Sequence, residues 1–487
     1  MRYLCVLILL TQSTFLFAQS PSLWHLLSFD SDSVPGIGWQ QYKRTLEPDT
    51  AGKEVIVAVI DGGLDIDHPD LAGKIWMNPQ EIPGNQLDDD QNGYIDDVNG
   101  WNYMGNMDCQ TLEVTREYVN PSQKGRKYKR AIDSLYQKKC SLAGPTYELM
   151  VKRRDELLGA QEALADHLQK EDIFYEDLKE LKPNKKIKSS LLVALSVHEP
   201  LVSSRSLHDL AMSTSSVIKN YKNKIECHCN TNFAKRSKGI PSGNGVLNIG
   251  ARHGTHVSGI IGAIQDNQIG TIGIAEHVKI MPLRVVPEGD EYDEHVARAI
   301  RYAVDNGAKV INMSFGKRLS PKKHLVDEAI RYADSFDVLL VHSAGNDRLL
   351  KKKNEGFPTN SSENILLTSK WLEVGSIDST LSVSRFSNFG RNVDVYAPGS
   401  AVLSLSPQRA PVVASGTSMA APMVSGVAAV LKSHFPQLEM QEIKEVILKS
   451  ARRIKNTAPR EGSEDEIKIL NLYDAFLEAE RRTVTNQ

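Results

Sequence analysis

Three residues in this sequence have the types and settings needed for nucleophilic catalysis. Ser418 lies in Gly416-Thr417-Ser418-Met419-Ala420-Ala421-Pro422, directly before the apolar stretch Met423 to Leu431, which reads as a buried helix. A serine at such a helix start has unspent backbone N–H groups and a positive dipole end beside it, both suited to a developing oxyanion. Its hydroxyl needs a base, and His253 in His253-Gly254-Thr255-His256-Val257-Ser258-Gly259 is the candidate, with His256 expected to be structural. Asp61 ends the run Val55 to Ile60 just before Gly62-Gly63, where a carboxylate can orient the imidazole and stabilise its charged form. Taken singly, each has a plainer use: helix cap, packing or turn. Together they make a set for acyl transfer.

The elements that must position these residues are legible as short β-branched runs alternating with amphipathic stretches. The runs are Val55 to Ile60, Val278 to Met281, Val310 to Met313, Val338 to Val341 and Val393 to Tyr396; Glu294 to Asn306 and Lys323 to Ser335 read as helices. That alternation predicts an α/β fold with a mostly parallel sheet and helices on both faces, its ligands beyond the carboxyl ends of the strands.

With these motifs in the order Asp, His, Ser, the sequence resembles the subtilisin-like serine peptidases. The resemblance extends over most of residues 50 to 107 and 246 to 450, including Phe386 to Gly390 and Tyr396 to Gly399. It implies a three-layer α/β/α fold, a triad of Asp61, His253 and Ser418, and an oxyanion donor at Asn346 within Val341-His342-Ser343-Ala344-Gly345-Asn346-Asp347. It also implies a substrate-pairing segment at Ser314, Phe315 and Gly316, flanked by Ala344 and Gly345; Phe315 stands where an aliphatic residue is commoner. Two rivals are weaker. An α/β-hydrolase esterase would carry a second glycine after its nucleophile and the order Ser, Asp, His. A catalytically silent binding protein would be expected to have lost a member of the set.

The run Asp88-Asp89-Asp90-Gln91-Asn92-Gly93-Tyr94-Ile95-Asp96-Asp97 places oxygen ligands at alternate positions around a turn glycine, a calcium-loop pattern. Asp88, Asp90, Asn92, Tyr94 through its carbonyl, and Asp96 or Asp97 are the expected ligands. The resemblance suggests a weaker site at Asp70 with Asp266 or Asn267. No cofactor is expected for catalysis.

Asp61 and His253 are 192 positions apart, and the extra length is a Lys- and Glu-rich insertion, expected over 107–245. Its leucine spacing predicts a long helix from Tyr147 to Leu181, stopped at Pro183, and a second over Ser204 to Lys224. It is expected to gate the cleft or to dock a partner. Cys109, Cys140, Cys227 and Cys229 lie inside it, with Cys227 and Cys229 each expected to reach back to Cys109 or Cys140, in an open order. A metal site at Cys227-His228-Cys229 is the weaker reading.

Residues 1–18 read as a cleaved signal peptide, with an apolar run from Leu4 to Phe17 that is shorter than the roughly 20 residues of a membrane span. Secretion to periplasm or medium follows. The peptidase core is expected over 54–106 and 246–475. Before it, 19–53 is an extension too short for a folded pro-segment, whose Trp24 to Tyr42 would wrap the core; after it, 476–487 is a tail. The 487 residues carry 58 Lys and Arg against 60 Asp and Glu, so charge gives no case for nucleic acid or an anionic membrane as partner. Polypeptide substrates and a monomer are the expectation.

Overall fold

The computed structural model describes residues 21–45, 52–107, 109–179, 181–182, 184–195, 206–232, 243, 251–267, 269–353, 355–363, 365–456 and 459–485. The expected signal peptide lies outside them. The described chain forms two compact units, one of residues 1–108 with 239–487, the other Cys109–Lys238.

In the larger unit the strands are β1 (Val55–Asp61), β2 (Trp101–Asn102), β3 (Val278–Arg284), β4 (Val310–Met313), β5 (Leu339–Ser343), a minor pair β6 (Ser361–Ser362) and β7 (Ile365–Leu366), then β8 (Trp371–Ile377) and β9 (Val395–Pro398). A hairpin of β10 (Val402–Ser404) and β11 (Val412–Ala414) follows, then β12 (Arg452–Lys455) and β13 (Glu466–Ile469). Among the described residues the main sheet has nine strands in the order β12-β13-β9-β8-β5-β4-β1-β3-β2. All its pairs are parallel except β12 with β13.

The period-two alternation of a strand builds two cores from one run of residues. Val57 and Val59 of β1 face a core shared with Val257 and Ile260 of the helix Ala251–Gly262 and with Val424 and Val427 of the helix Thr417–His434. Ala58 and Ile60 face the opposite core, with Val296 and Ile300 of the helix Asp293–Asp305 and Val326 and Ile330 of the helix Lys323–Ser335. This is the expected three-layer α/β/α arrangement. Because β1, β4 and β5 are parallel neighbours, Asp61, Ser314 and the 344–346 turn all emerge at the same edge of the sheet.

Residues 21–45 pack on the first of these cores: Leu26, Ile37, Trp39 and Tyr42 belong to it, and Trp39 Nε1 donates to the Ile274 carbonyl at 3.1 Å. At the other end, residues 476–485 of the expected tail 476–487 are instead part of the helix Leu472–Thr485, because Ala475 and Ala479 give it an apolar stripe buried on the core.

The Cys109–Lys238 unit, narrower than the expected 107–245, is helical and has its own core of Leu157, Leu164, Ile173, Leu178, Leu191 and Leu207 with further apolar residues. Its longest helix, Ala143–Leu168, ends well before the expected Leu181, because Gln169 turns left-handed (φ 53°) and its N–H caps the Ala165 carbonyl. The leucine repeat continues past that point because Leu178 returns to the same core on a separate turn, Tyr175–Leu178. The helix Leu207–Asn223 begins at Ser206, which forms a reciprocal capping box with Asp209. Disulfides join Cys109 to Cys227 and Cys140 to Cys229. Both thiols of the Cys227-His228-Cys229 metal reading are thereby consumed.

Candidate active site

His253 sits in the first turn of the helix Ala251–Gly262, and that helix lies against the end of β1 because residue 254 has no side chain. A Cβ at Gly254 would fall 2.0 Å from the Gly63 carbonyl oxygen, so any larger residue would push the helix off. The approach brings His253 Nδ1 to 2.8 and 2.9 Å from the two oxygens of Asp61. A carboxylate only accepts, so Nδ1 carries the hydrogen, and in the neutral ring Nε2 is left with a lone pair. Asp61 is buried, its side chain 4% exposed, and its Oδ1 also accepts from the Gly62 N–H at 2.6 Å; the His253 side chain is 44% exposed. Crowding of the ring would lower the His253 pKa, but the Asp61 charge and hydrogen bond outweigh it, and the net shift is upward from 6.5.

His256 is buried one turn further on. Its Nε2 lies 3.2 and 3.1 Å from the Val402 and Val412 carbonyls, so it ties the helix to the β10–β11 hairpin, and burial pushes its pKa down to about 4.

Ser418 is the second residue of the helix Thr417–His434, where backbone N–H groups have no acceptor within the helix. Pro422 is four residues on and has no N–H, which leaves the Ser418 carbonyl without its helical donor. Ser314 Oγ supplies one at 3.0 Å, and Ser418 Oγ donates in return to the Ser314 carbonyl at 3.0 Å. No hydrogen bond joins Ser418 to His253 among the described residues; the hydroxyl rests on Ser314. Behind this pair, Ser425 Oγ donates to Asn312 Oδ1 at 2.9 Å, and Asn312 Nδ2 donates to Ser314 Oγ at 3.0 Å. Asn312 and Ser425 carry no local sequence mark of this bracing role.

Asn346 is fixed by its oxygen. Oδ1 accepts from the Thr417 N–H at 2.9 Å and the Thr417 hydroxyl at 3.0 Å, so Nδ2 is the free end. A Cβ at Gly416 would lie 3.3 Å from Asn346 Nδ2 and 3.6 Å from the Ser418 nitrogen. The glycine thus keeps open a small space between two N–H donors, which is what a tetrahedral oxyanion requires.

Two cavities meet at Ser314 and Phe315. One, about 490 Å³, is lined by Asp61, His253, Val286, Pro287, Ala414 and Met419 among others. The second, about 170 Å³, is lined by Ser314, Phe315, Gly316, Ala344, Gly345, Asn346 and Ser418, together with His342, Lys351 and further residues. All five residues expected to bind substrate therefore lie in one wall. Gly345 adopts φ +102°, and a Cβ there would meet Asn388 Nδ2 at 2.6 Å.

The acidic loop divides. Asp90 and Asp97 come together with Glu81, which sequence reading missed, and Glu81 is buried with its Oε2 unpartnered. Asn78 Nδ2 and Asn92 Nδ2 donate into the same group. Three carboxylates, one oxygen aimed inward without a donor, fit a hard divalent cation such as calcium. Asp96 turns away to accept from the Gly84 and Gln86 N–H groups, and Asp88 accepts from the Asn92 and Gly93 N–H groups, so these two expected ligands serve the turn. The Tyr94 ring joins Trp101, Tyr103 and Tyr302. At the weaker site Asp70 accepts from Asn267 Nδ2 at 2.6 Å and from the Thr271 N–H at 3.2 Å; Asp266 makes no bond to it.

The model of the Subtilase family matches residues 52–466. The sequence is 32% identical over 286 residues to the cell wall-associated protease of Bacillus subtilis (strain 168), covering 57% of this chain and 29% of that protein. It is 33% identical over 207 residues to subtilisin DY of Bacillus licheniformis (42% and 71%), and 36% identical over 185 residues to thermitase of Thermoactinomyces vulgaris (38% and 62%). The chain thus spans less than a third of the length of the Bacillus subtilis relative.

Proposed function

Because this chain belongs to the subtilase family, we propose that it is a secreted serine endopeptidase working through Asp61, His253 and Ser418. The observation that carries the reading is the Asp61–His253 pair, which lines one of the two cavities that meet at Ser314 and Phe315, while Ser418 and Asn346 line the other. The Ser418 hydroxyl leaves the Ser314 carbonyl, gives its proton to His253 Nε2, and its oxygen attacks the scissile carbonyl carbon. The oxyanion takes hydrogen bonds from Asn346 Nδ2 and the Ser418 N–H. His253, held cationic by Asp61, returns the proton to the leaving amine as the C–N bond breaks. Water then repeats the sequence on the acyl-enzyme.

Ser314 to Gly316 would pair with an extended substrate backbone, as strand addition does elsewhere. Glu81, Asp90 and Asp97 would hold a calcium ion, whose charge offsets their mutual repulsion and braces the loop. Secretion rests on the apolar run from Leu4 to Phe17; among the described residues no helix is long and apolar enough to cross a membrane. Polypeptides are the proposed substrates, a monomer the proposed state, and cleft gating or partner docking the proposed roles of the insertion.

The test is a fluorophosphonate probe together with peptide-library cleavage read by mass spectrometry. Labelling and cleavage that both vanish in Ser418→Ala support the reading; a wild-type protein that neither labels nor cuts is a silent scaffold.

A further inference from the structure

A second histidine–carboxylate pair lies two strands from the first. His342 on β5 and Glu373 on β8 are direct partners in the sheet register, and their side chains are 1% and 7% exposed. His342 Nδ1 is 3.0 Å from Glu373 Oε1, and Nε2 is 2.9 Å from the Phe315 carbonyl oxygen. Neither a carboxylate nor a carbonyl can donate, so both ring nitrogens face acceptors only. Glu373 is an unambiguous anion there: burial would raise its pKa, but Lys351 and His342 outweigh that and hold it down to about 2. It also takes Lys351 Nζ at 2.6 Å and Trp371 Nε1 at 3.0 Å.

One carboxylate therefore serves both His342 and Lys351, and both line the 170 Å³ cavity beside Ser418. Two glycines keep them near its surface. A Cβ at Gly356 would meet Lys351 Nζ at 3.0 Å, and one at Gly316 would meet His342 Nε2 at 3.5 Å. Lys351 Nζ donates to Glu373 and, at 3.4 Å, to the Gly356 carbonyl, which leaves one of its three hydrogens. The remaining charges around the cavity pair off. Arg318 meets Asp347 at 2.9 Å at the rim, and Lys317 meets Asp293 at 2.8 Å below the surface. Behind Glu373, a neighbouring cleft sets Lys352, Lys353 and Arg391 against Asp394. Among the described residues, the lining of the cavity sets Lys317, Arg318 and Lys351 against a single carboxylate, Asp347.

A peptide carbonyl attacked by Ser418 and held by Asn346 belongs to the residue whose side chain hangs beside it, and this is the cavity that opens there. We infer that the cavity is the specificity pocket and that it selects an acidic side chain, glutamate or aspartate, on the acyl side of the scissile bond. The inference rests on the peptidase reading and deepens it. The substrate carboxylate is the missing anion, taking the spare Lys351 N–H as a charge-assisted hydrogen bond.

Quenched peptides differing only at the acyl-side residue test this with the full-length, disulfide-bonded protein. Glutamate should exceed leucine, glutamine and lysine in kcat/KM by about 10- to 100-fold, the scale of one such bond. In Lys351→Met with Glu373→Gln, a neutral replacement of the pair, the glutamate advantage over leucine should fall to within about threefold. Preferred cleavage after leucine or phenylalanine in the wild type overturns the acidic pocket and leaves the peptidase standing. An unchanged ratio in the double variant overturns the assignment to Lys351. Absence of both turnover and fluorophosphonate labelling overturns the peptidase and the pocket together. The wild-type profile needs no variant, so a variant that fails to fold leaves the test intact.

Discussion

His253 with Asp61 and His342 with Glu373 are the same chemical pair in two settings, and only one of them can do base chemistry. Each imidazole sets Nδ1 against a carboxylate on a parallel strand. They differ in what the other nitrogen meets. His253 Nε2 makes no hydrogen bond among the described residues and faces a cleft, whereas His342 Nε2 is spent on the Phe315 carbonyl and the ring is buried. A proton carrier needs a vacant lone pair within reach of substrate. A ring with both nitrogens committed can only hold a wall in place.

The largest effect expected from breaking this contrast is at Asp61. Asp61→Asn should lower kcat by about 10⁴-fold, since the neutral amide neither fixes the tautomer nor stabilises the imidazolium. The base must be unprotonated, so wild-type kcat/KM should rise with pH through a pKa above 6.5, and in Asp61→Asn that limb should move to lower pH. A limb that stays in place would mean that Asp61 does not set the charge of His253. Next in size is Gly416→Ala, whose methyl group would fill the space between Asn346 Nδ2 and the Ser418 N–H. Steady-state kinetics should give a loss of about 10²- to 10³-fold in kcat with KM little changed.

At the second pair the expected damage is to stability. His342→Gln removes one of the partners that hold down the pKa of buried Glu373 and should cost about 3–5 kcal/mol in urea unfolding, while the folded variant keeps kcat within about tenfold. Glu373 has a depressed pKa, so its contribution is complete above its ordinary value of 4.5 and is lost as pH falls towards about 2. Unfolding measured across that window should show wild type losing more stability than Glu373→Gln. The smallest effect is expected at the acidic loop, where EGTA should lower Tm by a few degrees in wild type and less in Glu81→Gln. No shift in either protein would remove calcium from the account.

The site residues legible in sequence were those whose signal is local. Asp61 follows a β-branched run and precedes two glycines, and Ser418 stands between small residues at a helix start. Glu81, Asn312, Ser425 and Glu373 have no such local mark, because each acts on partners that only the fold brings near. Ser425 reaches Asn312 across 113 positions, and Glu373 meets His342 across 31. The acidic run was legible as a calcium loop in composition but not in its division of labour, since whether a carboxylate faces inward or caps a turn depends on the backbone at Asp96, which is left-handed at φ 53°. The leucine repeat of the insertion misled for a related reason: periodicity records which residues reach a core, not whether one helix or two carry them there.

The sequence by itself determined the chemistry available: an alcohol, imidazoles and carboxylates in a fixed order on buried strands and a helix, set by side-chain type and by the two periodicities of backbone structure. The tertiary structure alone decided which imidazole keeps a free nitrogen and which oxygens converge, and which charges gather beside Ser418. Those outcomes depend on a few ångströms of separation between residues distant in the chain, and hydrogen bonding and Coulomb energy change steeply over that distance.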